Sequence, residues 1–554
     1  MLSAITRCLT AFRNLIVLLI NPPLDQMFKQ LHRSILPLCL LSTSLSASPT
    51  ELPSSAIPGL RYYYPPEKVE PRQIETDICI YGGTSGGVAA AVQAARMGKK
   101  VVLLEFGKHV GGLTSGGLND TDGGAPEVCG GIAREFYNQV GQSTFNPHEA
   151  EQTYLDMLKS AGVKVHLLAQ LTQVDKVGPS IQSITMEDGL TVRAQQFIDC
   201  TYEGDLMAMA GVSFAVGREG NSMYGETYNG ILTPGEGGHD FLVDIDPYQI
   251  PGNPESGLLP RINKDWGTTG EGDDRIQAYC FRMWLTQDNP LPFPKPPVYE
   301  AAQYEILARL FESEANPRIR FRQDTNNHHL FEGAYFIDYV GGADLWPDGD
   351  YQTRERLFQE HLNYQLGVMW FLQNSDRIPE KHQQVFKSWG LPRNIYKDTG
   401  GWTHQLYIRE GRRMVSDYVM TEHNCMHREV PEDSIGLATY RMDSHHCQMT
   451  VVDGFIRNEG NIEIAPAGPY PIPYRAITPE ASECTNLLVP WSLSASHIAF
   501  GSIRMEPVFM VLGQSAATAA AFAIDDGVSV QNVSYPKLKK QLLADGQKLF
   551  VEVK

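Results

Sequence analysis

The turn Gly82-Gly83-Thr84-Ser85-Gly86-Gly87 follows the short apolar run Asp77 to Tyr81 and opens the alanine-rich run Val88 to Met97. A glycine-rich turn between a strand and a helix suits a diphosphate. The first glycine permits the tight turn, the last permits close helix-to-strand packing, and the helix N-terminus offers backbone N–H groups with a partial positive charge. Thr84 stands where a GxGxxG fingerprint has its middle glycine, so a side chain occupies the place where backbone normally nears phosphate; its hydroxyl can itself donate a hydrogen bond. Glu105 ends a second apolar run, Val101 to Leu104, and lies 18 residues beyond Gly87. That is close to the ~20 expected of the acid that holds ribose hydroxyls. Turn, helix, strand and acid together specify a dinucleotide-binding unit far better than glycines alone. For proton chemistry the sequence offers His497, in Ser494-Ala495-Ser496-His497, and His404, in Gly400-Gly401-Trp402-Thr403-His404-Gln405. Arg409, Arg413 and Arg504 are suited to bind an anion or to pair with Glu410 or Glu506. His328-His329 and His445-His446 are adjacent pairs whose side chains project to different faces, and there is no CxxC pair, so no metal site is expected.

The elements that must position these residues are legible from pattern. Asp77 to Tyr81, Val101 to Leu104, Lys164 to Leu168, Leu171 to Val177, Ile181 to Glu187, Thr191 to Ala194 and Phe197 to Cys200 read as strands, with Asp188-Gly189 a hairpin turn. Helices are expected over Val88–Met97, closed by Gly98, and over Val298–Ser313, Tyr351–Asn374 and Arg409–His423. Gly220 to Pro297 is dense in glycine and proline and should be irregular but packed. Ser48 to Pro71 is rich in Pro and Ser without periodicity and reads as an exposed linker.

The residues beyond Glu105 make the unit more specific. His109-Val110-Gly111-Gly112-Leu113-Thr114-Ser115-Gly116-Gly117 resembles the second glycine pair of glutathione-reductase-type flavoproteins, which nicotinamide-only dehydrogenases rarely carry. Phe197 to Leu206 is similar to the "IDATGDGDL" strand and turn of that superfamily, with Cys200 and Tyr202-Glu203 substituted inside it. Asn486 to Val489, followed by Gly513 to Ala521, resembles the strand and the small-residue helix start that points at the flavin pyrimidine ring. Residues 76–216 and 475–530 thus resemble the FAD-dependent oxidoreductase family, related to the flavoproteins of heterodisulfide reductase. Thr325 to His328, Gln405 to Glu410 and Ser502 to Pro507 resemble secreted bacterial members of unassigned substrate.

The resemblance implies an α/β fold with a Rossmann-type parallel sheet. It implies a discontinuous FAD-binding domain, 76–216 and 475–554, and a substrate-binding domain, 217–474. It places FAD against Gly82, Gly83, Thr84, Ser85, Gly86, Gly87, Glu105, Gly111, Gly112, Val174, Thr201, Gly204, Asp205, Gly513 and Gln514. The iron-sulfur cluster of some relatives is not supported, because clustered cysteines are missing. No second dinucleotide fingerprint is visible, so electrons are expected from a small polar organic substrate rather than a nicotinamide. Hydride removal then needs a base, with His497 the first candidate and His404 the second, and Arg504 is a candidate, like Arg409 and Arg413, to bind a substrate carboxylate or the flavin phosphate. The alternative is an electron-relay flavoprotein subunit that acts only with a partner protein.

A chain of 554 residues, 42% hydrophobic, can bury a large core. Its net charge of −18 argues against nucleic acid as a partner. Lys29, His32 and Arg33, the apolar run Ile35 to Leu45 and small Ser46-Ala47-Ser48 read as a secretory signal starting functionally at Met27, so residues 1–47 are expected to be a removable leader and the protein to be exported. No other membrane segment is expected.

Overall fold

Four apolar residues, Ile78–Tyr81, form β1, and all four are buried. A strand covered on both faces belongs in the middle of a parallel sheet flanked by helices. It does so in the computed structural model of the chain, which describes residues 52–66, 70–120, 128–141, 145–237, 239–313 and 337–550. β1 lies between β2 (Val101–Leu104) and β4 (Gln196–Asp199); β3 (Lys164–His166) and β5 (Leu487–Leu488) complete a five-stranded, all-parallel sheet in the order β5-β4-β1-β2-β3. The register sets Tyr81 beside both Leu104 and Asp199. The turn at Gly82, the acid Glu105 and the Cys200-Thr201 step therefore leave the sheet at one carboxyl edge, where ligands of open α/β sheets bind.

The alanine-rich segment forms α1 (Ser85–Arg96), capped by the Thr84 side chain, which accepts from the Gly87 N–H. Gly98, at φ +77°, ends it in the left-handed conformation. The long helix α2 (Tyr351–Asn374) stands where its pattern predicts, opened by the Asp350 side chain accepting from Thr353. Near the C-terminus come α3 (His497–Ile503) and α4 (Glu506–Asp526). α4 is apolar and long enough to cross a membrane, but its apolar window is 94% buried inside the protein and packs on α1. A Cβ on Gly86 would stand 2.8 Å from the Phe509 carbonyl oxygen, and one on Gly513 would strike the Gly86 carbonyl, so paired glycines let the two helices cross closely. A second sheet joins Arg72–Glu75, Leu190–Arg193, Ser180–Met186 and Leu171–Val177, with Gly189 at φ +79° turning the hairpin. Leu52–Lys554 form one compact unit.

Three expectations are corrected. Residues 52–66 are not an exposed linker: Ile57, Leu60 and Tyr63 are buried, and the Tyr62 and Tyr63 N–H groups donate to Glu355 of α2 at 2.8 and 3.0 Å. Arg409–His423 is not a helix. Arg413–Met414 pair as a strand with Phe214–Ala215, and only Glu422–Cys425 is helical, because the buried arginines reach carboxylates on several sides. The small-residue helix does not start at Gly513; its first turn is Glu506-Pro507, and Gly513 lies two turns inside it. The leader and the block Thr325 to His328 lie outside the described residues.

Candidate functional site

The residues brought to the carboxyl edge line one pocket that opens to solvent, and its wall includes Gly82, Thr84, Glu105, Gly112 and Thr201. Gly82 holds φ +103°, and a Cβ there would lie 2.6 Å from the Cys200 carbonyl carbon, while one on Gly87 would strike the Gly82 carbonyl. The turn is therefore closed to larger residues at both ends. Thr84, the departure from the fingerprint, does not obstruct it: its hydroxyl donates to the Cys200 carbonyl at 2.8 Å and caps α1, so the side chain is folded into the turn. The first N–H with an intrahelical acceptor is that of Val88, bonded to Thr84, which leaves the N–H groups of Ser85 and Gly86 without an acceptor inside the helix.

Glu105 points back at this turn. Its carboxylate accepts from the Gly83 N–H at 2.6 Å and the Gly107 N–H at 2.7 Å, and burial raises it to about 7 despite those two donors. Beyond it, Gly111 donates its N–H to the Gly83 carbonyl at 2.7 Å, tying the second glycine run to the first. Gly112 packs under the Tyr202 hydroxyl, which in turn accepts from Leu113 and donates to Glu506 at 3.1 Å. Glu506 opens α4 and also accepts from Thr114 at 2.9 Å; it is 5% exposed, and burial pushes it up to about 7.

The cavity wall carries charges of both signs, Glu105 and Glu203 beside His109, Lys108 and Arg61, the last paired with Glu355 at 2.9 Å. His109 hydrogen-bonds Glu151 and Asp398, each at 3.0 Å, and these partners outweigh burial and push it up to about 9. Lys108 and Arg61 lie on the same wall. His404 stacks on His109 with ring centroids 3.8 Å apart, and neither of its ring nitrogens has a hydrogen-bond partner. Burial and the His109 charge push it well below its ordinary value, so it is neutral. Cations around a glycine turn, with an acid at the neighbouring strand end, suit a diphosphate-linked nucleotide.

The other sequence candidates separate into groups. His497 stands apart from this wall, with both ring nitrogens engaged: Nδ1 with Glu410 at 2.8 Å and Nε2 with the Ser444 hydroxyl at 3.1 Å. Arg504 pairs with Asp443 at 2.5 Å, Arg409 with Asp338 at 3.0 Å, and Arg413 with Glu219 and Glu410. Asp205 is clamped by Arg354 and Arg412, which hold it below its ordinary value although burial acts the other way. Gly204, at φ +67°, packs against Ser492. Val174 lies in the second sheet, paired with Ile184, away from the cavity wall. Gln514 accepts from Ile132 N–H at 2.8 Å and donates to Gln93, a contact between helices. Sequence reading missed Arg61, Tyr62 and Tyr64, which line the cavity; the one signal was the aromatic run Tyr62-Tyr63-Tyr64 inside a supposed linker.

These residues fit FAD: the two glycine runs, the ribose acid and Thr201 share a single cavity, and the glycines of the turn leave the backbone bare. Among solved structures, the chain is similar to Thermovibrio ammonificans THI4 (21% identity over 26% of this chain and 66% of that one, TM-score 0.22). It is similar to Lactococcus lactis thioredoxin reductase (24%, 22% and 34%, TM-score 0.17) and to L-proline dehydrogenase from P. horikoshii (16%, 29% and 27%, TM-score 0.19). The chain thus spans less than two thirds of each of these proteins, and the likeness is local. No curated protein sequence matches it. A family model described as FAD dependent oxidoreductase matches residues 77–542. With that much of its length matched, the chain belongs to the FAD dependent oxidoreductase family and takes FAD as its cofactor.

Proposed function

We propose that the protein oxidises a small polar organic substrate by hydride transfer to FAD held in the cavity at the carboxyl edge of the parallel sheet. The observation that carries this reading is the shared wall: Gly82, Thr84, Glu105, Gly112 and Thr201, distant in sequence, line one space. FAD, when bound, supplies a two-electron acceptor. The N–H groups of Ser85 and Gly86 and the charges of His109, Lys108 and Arg61 would hold its diphosphate, and Glu105 its ribose. Two donors already hold Glu105, so accepting ribose hydroxyls favours its ionised form and binding should release a proton.

On the substrate side, His404 is the better-placed base. It borders the cavity with free ring nitrogens, whereas those of His497 are both engaged. His404 is neutral, so it can take a proton, and an approaching anion would strengthen it by offsetting the His109 charge. Residues 217–474 would supply the rest of the substrate side. The glutathione-reductase-type arrangement is supported by the second glycine run, which hydrogen-bonds the first. The signal pattern from Met27 supports export, with folding and FAD loading after translocation.

The test is an anaerobic screen of the purified protein against sugars, amines and hydroxy acids, read by bleaching of the flavin absorbance. At least one class should bleach it without NADH or NADPH. Bleaching by a nicotinamide alone would overturn the reading. Mass spectrometry of the native protein should show no residue before Lys29; retention of that segment would refute export.

A further inference from the structure

Among the described residues, the buried arginines are paired with carboxylates, with one exception. Arg218 meets Asp273 and Glu459, Arg354 meets Asp205, Arg409 meets Asp338, Arg413 meets Glu410 and Glu219, and Arg504 meets Asp443. Arg282 is 3% exposed, yet among the described residues it has no carboxylate partner, and its Nε and Nη1 have no hydrogen-bond partner. A buried guanidinium is always charged, and leaving its N–H groups unmet is costly, so its position calls for a partner that completes it.

Its position says which ligand. Cys280–Phe281 pairs antiparallel with Leu406–Tyr407, and the alternation of side chains sets Cys280 and Arg282 on the same face as Gln405, Tyr407 and Arg409. That face meets the second glycine run. A Cβ on Gly116 would strike the Gln405 side chain, and one on Gly117 would stand 2.8 Å from the Arg282 Cβ. Gln405 lines the cavity, and the guanidinium of Arg282 lies over the Tyr407 ring, 4.4 Å from its centroid. The Tyr407 hydroxyl is held by Arg504 Nη1 at 3.4 Å, and two residues further on Glu506 begins α4. The stem of Arg282 thus packs on the glycine run assigned to FAD, at residues other than the Gly82–Gly87 turn where the diphosphate belongs, and its unpaired guanidinium lies on Tyr407 behind Gln405 of the cavity wall.

We propose that Arg282, with Tyr407 positioned by Arg504, forms an oxyanion subsite beside Gly116-Gly117, and that the molecule this enzyme oxidises carries a carboxylate. The inference rests on the FAD reading above and narrows it to one substrate class. The guanidinium offers a planar fork of donors that matches a carboxylate. A carboxylate and a phosphate share this chemistry, so the test must separate a substrate's anion from the cofactor's own diphosphate.

The FAD-loaded protein is titrated with acetate, glycolate and benzoate and, in parallel, with acetamide, glycolamide and benzamide. Binding is read by the flavin difference spectrum and by the rise in thermal midpoint, the second of which needs no flavin. Carboxylates should bind and amides should not. In Arg282→Met the FAD content should be unchanged, carboxylate binding should weaken at least ~10-fold, the worth of a charge-assisted pair, and the thermal midpoint without ligand should hold or rise because an unmet buried cation has gone. Arg282→Lys should retain part of the affinity. Equal binding of acids and amides, or equal carboxylate binding by parent and Arg282→Met, would overturn the proposal. So would loss of FAD from a folded Arg282→Met, which would make the anion the cofactor's diphosphate, or a lowered midpoint with no change in binding, which would make Arg282 structural. A parent protein without FAD would defeat the function proposed above, while the midpoint titration would still decide the subsite.

Discussion

Among single residues, the turn glycines are the most exacting positions. Gly87→Val would drive a branched side chain into the Gly82 carbonyl and the Cys200 side chain, so the variant should lose FAD on gel filtration and unfold about 1–3 kcal/mol more easily. The two histidines should part company. His497→Ala removes a partner from buried Glu410 and Ser444 and should cost roughly 3 kcal/mol in denaturant unfolding. His404→Ala should keep its fold and FAD while flavin reduction slows about 10²–10⁴-fold, measured by stopped flow. Because His404 is held neutral, the parent's reductive rate should be flat across neutral pH; a rate climbing through that range would assign the base elsewhere. Gly82, Gly87 and Glu105 were legible in sequence because their spacing is local and each has one geometric duty. The place of His497 was not, since Glu410 and Ser444 are 87 and 53 residues away. Arg282 was invisible for a related reason: its distinguishing feature is a missing partner.

Among the secondary-structure elements, α4 shows how a boundary is misread. The small residues from Gly513 suggested a helix start, but they serve the crossing with Gly86, and the start signal was the Pro507 in the first turn. Arg409–His423 departs from a helix for another reason, because Arg409 and Arg413 are buried in ion pairs with carboxylates from distant segments. The first residue of α4 carries a pH-dependent cost. Glu506 is raised from its ordinary 4.5 to about 7, so the folded state binds its proton more tightly than the unfolded chain. Its contribution is favourable below about 4.5 and is lost as pH rises through about 7, a difference of about 3 kcal/mol. FAD-free Glu506→Gln should therefore be more stable than the parent at pH 8, with the gap closing as pH falls toward 4.5. An equal gap at both ends, in urea unfolding followed by circular dichroism, would show that burial does not govern this carboxyl.

Across the molecule as a whole, the sheet depends on a late return of the chain. β5 joins from Leu487, nearly 300 residues after β4, and brings α3 and α4 with it. The βαβ pattern made the first part of this architecture readable, and the resemblance of the C-terminal segment suggested the return. Only the aromatic run Tyr62-Tyr63-Tyr64 hinted that residues 52–66 would pack on α2 and wall the cavity, because that docking rests on Glu355, far along the chain. Everything proposed for the site depends on the turn, the acid and the second glycine run holding FAD together. The decisive experiment is to denature the purified protein and identify the released cofactor by chromatography and mass, alongside Gly87→Val. One FAD per parent chain is expected, and none in the variant. Release of FMN or a nicotinamide dinucleotide from the parent, or full FAD occupancy in Gly87→Val, would contradict that assignment.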